Sequence, residues 1–267
     1  MNNVFALDKA KVKQSFGAAS NTYDTSAELQ RQVGKALLKA FSVNLSGDLC
    51  LDLGCGTGFL TNELLSWDTD DNAPTLVALD IAWPMLQTAR VKLQKRRNLH
   101  YVCADAEQLP ILDASIDQVY SNLALQWSRN PEVLFADIKR IMKSDGKLVF
   151  STFGPQTLNE LGSAWAEVDD YCHVNEFYSE QQLKQHLREA GFRDIQTITK
   201  AYRPCYDSIL DLMRELKLLG AHNVTAGRNK TMTTKTQLQT MMSAYEKYRL
   251  EDGYPATFSA ILISAKA

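Results

Sequence analysis

Histidine and cysteine are scarce in this 267-residue chain, at four and five residues, and no two cysteines form a Cys-x-x-Cys pair. Zinc-ribbon spacing and dithiol redox motifs are therefore missing. The histidines, His100, His173, His186 and His222, are scattered, and none stands beside Ser or Cys in a nucleophile motif. Neither a metal cluster nor an acyl-transfer triad is expected. Cys50, Cys55, Cys103, Cys172 and Cys205 are an odd number, which reads as reduced, mostly buried thiols in a cytoplasmic protein. A net charge of −2 supplies no global field that would draw nucleic acid or an anionic membrane. No apolar run approaches transmembrane length, and Met1 to Phe16 lacks the apolar centre of a signal peptide. A soluble cytoplasmic protein with no nucleic-acid or membrane partner is the expectation.

What the chain does have is apolar residues, 45% of the total, enough for one large domain. Leu29, Val33, Ala36, Leu37, Ala40 and Phe41 recur at helical spacing, so residues 25–42 should form a helix, preceded by a shorter arm around Phe16 to Tyr23. Apolar strands at 49–53, 76–80, 100–103, 116–121 and 147–153 then alternate with helices at 58–66, 84–95 and 131–143. Pro84 and Pro131 sit at helix starts, and residues 143–146 read as a turn before a strand. Such alternation argues a doubly wound parallel sheet. Helices at 156–168 and 180–190 and a strand at 195–202 follow. The final strand is expected at 257–265, after about fifty largely helical residues, 208–219 and 236–248, too long for a hairpin connection and readable as a cap. The division is an N-terminal arm, 1–44, a core, 45–204, a cap, 205–254, and a last strand, 255–267.

Residues 52–58, Asp-Leu-Gly-Cys-Gly-Thr-Gly, directly follow the apolar run Leu49 to Leu51, and Asp80 closes the next strand 22 positions beyond Gly58. A glycine turn at the end of a buried strand lets backbone approach a ligand, and the following helix offers unpaired N–H groups. An acid ending the next strand can accept from ribose hydroxyls. The spacing is G-x-G-x-G with Asp52 two residues ahead, not the G-x-G-x-x-G that cradles a dinucleotide pyrophosphate. A nucleotide-like cofactor without a pyrophosphate is implied.

The core resembles the class I S-adenosylmethionine-dependent methyltransferases over residues 45–155. The matching positions are Asp52 to Gly58, Asp80, Asp105-Ala106, Ser115-Ile116-Asp117 and Arg140 to Lys143 before Gly146. The resemblance implies a Rossmann-like sheet of seven strands, the last antiparallel, with S-adenosylmethionine as cofactor. By it, Asp52, Gly54, Gly56 and Gly58 form the cradle, with Gly54 and Gly56 approaching the methionine part. Asp80 holds the ribose, Asp105 meets the adenine amino group, and the Ala106 N–H meets a ring nitrogen. Ile81 and Met85 either sandwich the adenine or belong to the core. Asn122 and Leu123 contact the methionine end, and Tyr23 and Gln30 of the arm close over the methionine or acyl end.

Motifs outside the core are similar to the malonyl-acyl carrier protein O-methyltransferases of the biotin pathway. They are Phe16 to Ala19 with Tyr23-Asp24 and Leu29-Gln30, Ser121 to Trp127, Ser151 to Pro155, His173 to Phe177, Leu216-Lys217, Gly220-Ala221 and Gly227-Arg228. The resemblance implies methyl transfer to the free carboxylate of malonyl-acyl carrier protein or malonyl-coenzyme A. A carboxylate with a reference pKa of about 4 is ionised at neutral pH, so no acid or base side chain is needed. The acceptor needs a cation, for which Arg suits best; Arg228 is the first candidate, then Lys217 and Arg203. Trp127 either walls the acceptor channel or lies in the core. Residues 200–235 carry seven Lys or Arg against three acids, a local +4 suited to an acidic carrier protein. The competing readings are a methyltransferase for a free small carboxylate or another small-molecule acceptor, and a cofactor-binding partner protein without catalysis.

Overall fold

The computed structural model describes residues 7–42, 45–66, 74–94, 96, 98–221 and 233–267. Three helices come first, α1 (Lys9–Ala19), α2 (Tyr23–Ser26) and α3 (Glu28–Ala40). The helix expected over 25–42 is thus two, broken at Ala27. The core then runs β1 (Leu49–Leu53), α4 (Phe59–Ser66), β2 (Thr75–Asp80), α5 (Trp83–Leu93), β3 (Leu99–Cys103), β4 (Ile116–Asn122), α6 (Pro131–Ile141) and β5 (Met142–Phe153). It continues with α7 (Asn159–Trp165), α8 (Glu180–Glu189) and β6 (Arg193–Tyr202). The remainder is β7 (Cys205–Tyr206), α9 (Ile209–Leu218), α10 (Lys235–Tyr245), β8 (Tyr254–Pro255) and β9 (Phe258–Lys266).

Seven strands form one sheet in the order β3-β2-β1-β4-β5-β9-β6, with β9 antiparallel to both neighbours. β1 lies between β2 and β4, and its Cys50, Leu51 and Leu53 are inaccessible, as expected for a parallel strand covered on both faces. Successive side chains go to opposite faces. Tyr120 and Val149 pack with Val33, Leu37 and Leu64 of α3 and α4, while Val119, Leu148 and Phe150 pack with Phe135, Ile138, Leu183 and Leu187 of α6 and α8. Truncating a fully buried side chain such as Leu37 to Ala costs roughly 2–5 kcal/mol.

Caps set the helix starts. Asn130 accepts from the N–H groups of Glu132 and Val133 ahead of Pro131, and Ser179 with Gln182 forms a capping box on α8. The turn expected at 143–146 is absorbed into β5. The partner of Ile116 is Met142 and that of Gln118 is Lys147, so the intervening residues bulge, with Asp145 at φ 64. Between β6 and β9, β7 pairs with β8 through Cys205 and Tyr206 opposite Pro255 and Tyr254, closing the neck of the segment that carries α9 and α10. The arm bridges both parts. Gly17 lies against Pro84 of α5, and the Thr22 hydroxyl donates to the Leu218 carbonyl at 2.9 Å. Among the described residues no helix is long and apolar enough to cross a membrane.

Candidate active site

The carboxyl ends of β1, β2 and β4 open on one side of the sheet, where doubly wound proteins bind ligands. There the Gly54 and Cys55 N–H groups both donate to the Leu79 carbonyl, at 2.7 and 2.9 Å, and turn the chain sharply. A Cβ on Gly54 would stand 2.2 Å from the Ala124 Cβ, so this position needs glycine for packing. Gly56, at φ 54, faces open space, as a cradle for a ligand must. Gly58 does neither. Its missing Cβ admits Leu93 and Ala89 of α5, and it does not line the cavity.

That cavity contains about 810 Å³ of empty space, part of it open to solvent. Its walls include Gly54, Gly56, Asp80, Ile81, Met85, Asp105, Ala106, Asn122, Leu123 and Trp127. Asp80 is held by two backbone donors, Gly56 N–H to Oδ2 at 2.9 Å and Ala82 N–H to Oδ1 at 2.8 Å. Burial raises its carboxyl pKa above the usual range against the pull of those donors. Met85 is 1% exposed and packs with Ala19 and Ala82, so it serves as core and wall together. Leu123 sits at φ 50, a left-handed conformation that a non-glycine residue holds only where its surroundings impose it. Ser151 does so in part, its hydroxyl accepting from Leu123 N–H at 3.0 Å and donating to Asn122 Oδ1 at 2.7 Å.

A second lobe of about 750 Å³ shares Tyr23, Gly54, Gly56 and Asn122 with the first and adds Gln30, whose Oε1 is buried without a hydrogen-bond partner. Asn122 donates to the Gln30 carbonyl at 2.9 Å, tying α3 to the end of β4. Burial, with Asp80 and Asp24 nearby, pushes the Tyr23 phenol well above its usual range, so it remains a neutral hydroxyl.

Several expected residues stand elsewhere. Asp52 is fully buried and lines neither lobe; Thr61 donates to its Oδ2 at 2.5 Å, and burial raises its carboxyl to about 7. Trp127, by contrast, lines the cavity of Asp80 and Asp105, edge-on to Phe16 of the arm with centroids 5.2 Å apart. Lys217 is exposed on α9, and Arg203 is 59% exposed with Nη2 3.8 Å from the buried Glu160; neither lines a lobe. Arg228 lies outside the described residues. His173 stacks on Trp165 at 4.0 Å and meets Asp169 at 2.7 Å, so it is occupied within its own loop.

The arm also brings residues that local pattern does not reveal. Lys9 meets Asp105 and Glu107, and Asp24 accepts from Thr57 Oγ1 at 2.6 Å and from Lys92 at 2.7 Å. The site therefore offers a glycine cradle open to a ligand, carboxylates for hydroxyl and amino groups, and an unpartnered amide oxygen. Among the described residues no imidazole lines either lobe. This suits an adenosyl amino-acid cofactor.

The methyltransferase domain family model matches residues 51–150. The biotin biosynthesis bifunctional protein BioHC of Cellvibrio japonicus is 40% identical over 253 residues; the alignment covers 95% of this chain, which spans only about half (49%) of that relative. The malonyl-[acyl-carrier protein] O-methyltransferase of Methylovorus sp. is 37% identical, with 97% of this chain and 89% of that protein covered. That of Hahella chejuensis is 38% identical, covering 95% and 88%. Among solved structures, the YcgJ protein of Bacillus subtilis superposes with a TM-score of 0.61 at 18% identity, covering 88% of this chain and 97% of that one, a likeness of fold. Because these two relatives are 37–38% identical and matched over 95–97% of this chain and 88–89% of their own length, the chain belongs to the malonyl-[acyl-carrier protein] O-methyltransferase family.

Proposed function

We propose that the protein transfers a methyl group from S-adenosylmethionine to the free carboxylate of a malonyl thioester on acyl carrier protein, giving the methyl ester that enters biotin synthesis. The observation that carries this reading is the extent of the likeness, 95–97% of the chain rather than the core alone. Fold by itself does not specify an acceptor. The cofactor supplies a methyl group on a sulfonium, and the protein supplies position and surroundings.

In this reading Asp80 accepts from the ribose hydroxyls, Asp105 from the adenine amino group, and Ala106 N–H meets a ring nitrogen, between Ile81 and Met85. Gly54, Gly56, Asn122, Leu123 and Gln30 surround the methionine end, and Tyr23, neutral and shared by both lobes, faces the acceptor. Asp52 and Gly58 shape the turn without touching the ligand. The acceptor carboxylate is ionised at neutral pH, so no side chain moves a proton.

Arg228 orients that carboxylate, with Lys217 and Arg203 as the alternatives, and the basic segment 205–254 receives the acidic carrier. The arm, 1–44, and that cap flank a core of 45–204 completed by strand 255–267. None of the five cysteines is in a disulfide, which fits a reducing cytoplasm, although against expectation Cys50 and Cys55 alone of the five are buried. Mass spectrometry of malonyl-carrier protein, malonyl-coenzyme A and malonate after incubation with S-adenosylmethionine tests the reading. Gain of one methyl group on the thioesters alone supports it, and methylation of free malonate alone replaces the acceptor with a small acid.

A further inference from the structure

Lys9 belongs to the arm, yet its ammonium lies on the cavity wall. Nζ stands 2.8 and 2.7 Å from the two oxygens of Asp105 and 2.5 Å from Glu107 Oε2. Glu107 is itself fixed, its Oε1 accepting from the Ser128 hydroxyl and the Arg129 N–H, each at 2.6 Å. The Glu107 N–H donates back to Asp105 Oδ1 at 2.9 Å. A carboxylate offers about four acceptor positions. Lys9 takes one on each oxygen and Glu107 N–H a second on Oδ1, which leaves one free position, on Oδ2. The ammonium is likewise engaged by both carboxylates, through hydrogen bonds to Asp105 and an ion pair with Glu107.

The same residue closes the roof. Lys9, Val12, Phe16 and Tyr23 line the cavity from the arm, and Arg129 Nε donates to the Leu7 carbonyl at 2.6 Å just ahead of α1. At the far end Asp24 holds Thr57 and Lys92. With both ends tied down, α1 covers this side of the cavity while the Lys9 pairs hold, and lifting it breaks them.

We propose that Lys9 is a positioning residue: it turns the single free acceptor of Asp105 toward the adenine amino group and latches α1 over the base, joining base recognition to closure of the arm. This rests on the reading of Asp105 as the adenine contact. A base that donates at this position satisfies Asp105, whereas one with an oxygen there faces a carboxylate with no donor between them, a mismatch that strongly disfavours binding.

The test is calorimetric binding of S-adenosylhomocysteine and of its hypoxanthine analogue S-inosylhomocysteine to the parent, Lys9→Met and Lys9→Arg proteins. The parent should prefer the adenine ligand by at least about tenfold. Lys9→Met, which keeps the unbranched chain without its charge, should weaken S-adenosylhomocysteine about tenfold and reduce the preference to within about threefold, with Lys9→Arg recovering part of both. A parent-like preference in folded Lys9→Met protein overturns the role of Lys9. A parent with no preference overturns the Asp105 reading and this proposal with it. Hydrogen exchange on the parent needs no variant: S-adenosylhomocysteine should slow exchange across Lys9–Ala19 about tenfold or more, and unchanged exchange there overturns the latch.

Discussion

The cofactor side of the molecule and the cap side hold their functional charges differently. At the carboxyl edge of the sheet almost every charged group is fixed by a backbone or side-chain partner: Asp80 by two N–H groups, Asp105 by Lys9 and Glu107, Asp24 by Thr57 and Lys92. On α9 and its flanks, Lys217 is exposed, Arg214 pairs with Asp211 three residues away, and Arg203 reaches Glu160 at 3.8 Å. The first arrangement recognises one small molecule by direction, because fixed acceptors lose little freedom on binding. In the proposed reading the second attracts an acidic carrier by charge, and long-range attraction does not require ordered side chains.

The largest effect should come from the cradle. Gly56→Val places a branched side chain in the open space at φ 54. It should cost the fold roughly 1–3 kcal/mol of backbone strain while reducing S-adenosylmethionine affinity more than about a hundredfold. Normal binding by calorimetry would show that the ligand lies elsewhere. Gly54→Val, which meets Ala124, should lower the melting temperature in addition to weakening binding.

Next in size is Asp80→Ala, which removes an acceptor pair and should weaken cofactor binding by about ten- to a hundredfold, or roughly 1.5–3 kcal/mol. Unchanged affinity in a folded protein would break the contrast between directed and diffuse recognition. On the other side, Arg228→Ala should spare cofactor affinity while slowing methylation of malonyl thioester by at least about tenfold, with Arg228→Lys only partly restoring it because an ammonium lacks the two-donor fork. Turnover at the parent rate moves the anion contact to Lys217 or Arg203.

The smallest effect separates Asp52 from the ligand. Its folded-state carboxyl, raised to about 7 by burial, binds a proton that the unfolded chain releases near 4. The native state therefore holds more protons across that interval, and this group's contribution to stability falls as pH rises from about 4 to 7. Asp52→Asn keeps an acceptor for Thr61 and removes the titration. Its melting temperature should exceed the parent's by a few degrees at pH 8, with little gain at pH 5 and unchanged cofactor affinity. A loss of affinity would return Asp52 to the cradle.

Much of the core was legible because its signals are local. Continuous apolar runs bounded by Gly and Pro mark buried parallel strands, and the strand starting at Leu49 and the helix starting at Pro131 fall where pattern and punctuation place them. The sheet class follows from alternation, and the cradle from three glycines between an apolar strand and a helix. The bulge at residues 143–146 was not legible, since only pairing with β4 draws a turn-forming segment into a strand. Nor was the division of labour among Gly54, Gly56 and Gly58. Identical residues at period two acquire a clash with Ala124, an open face and a packing contact with α5 only when neighbouring chains arrive.

The sequence by itself determined the order of strands and helices, the place of the glycine turn and the acid that closes β2, because each depends on residues within one or two turns of chain. Tertiary structure decided which charges meet. Lys9 lies 96 residues from Asp105, and Asp24 lies 33 from Thr57 and 68 from Lys92. An exposed lysine can pair with any nearby carboxylate for a fraction of a kcal/mol to about 1 kcal/mol. Packing of α1 against α5 and the loops after β3 and β4 selects the partner, since it alone brings those elements within reach of one ammonium.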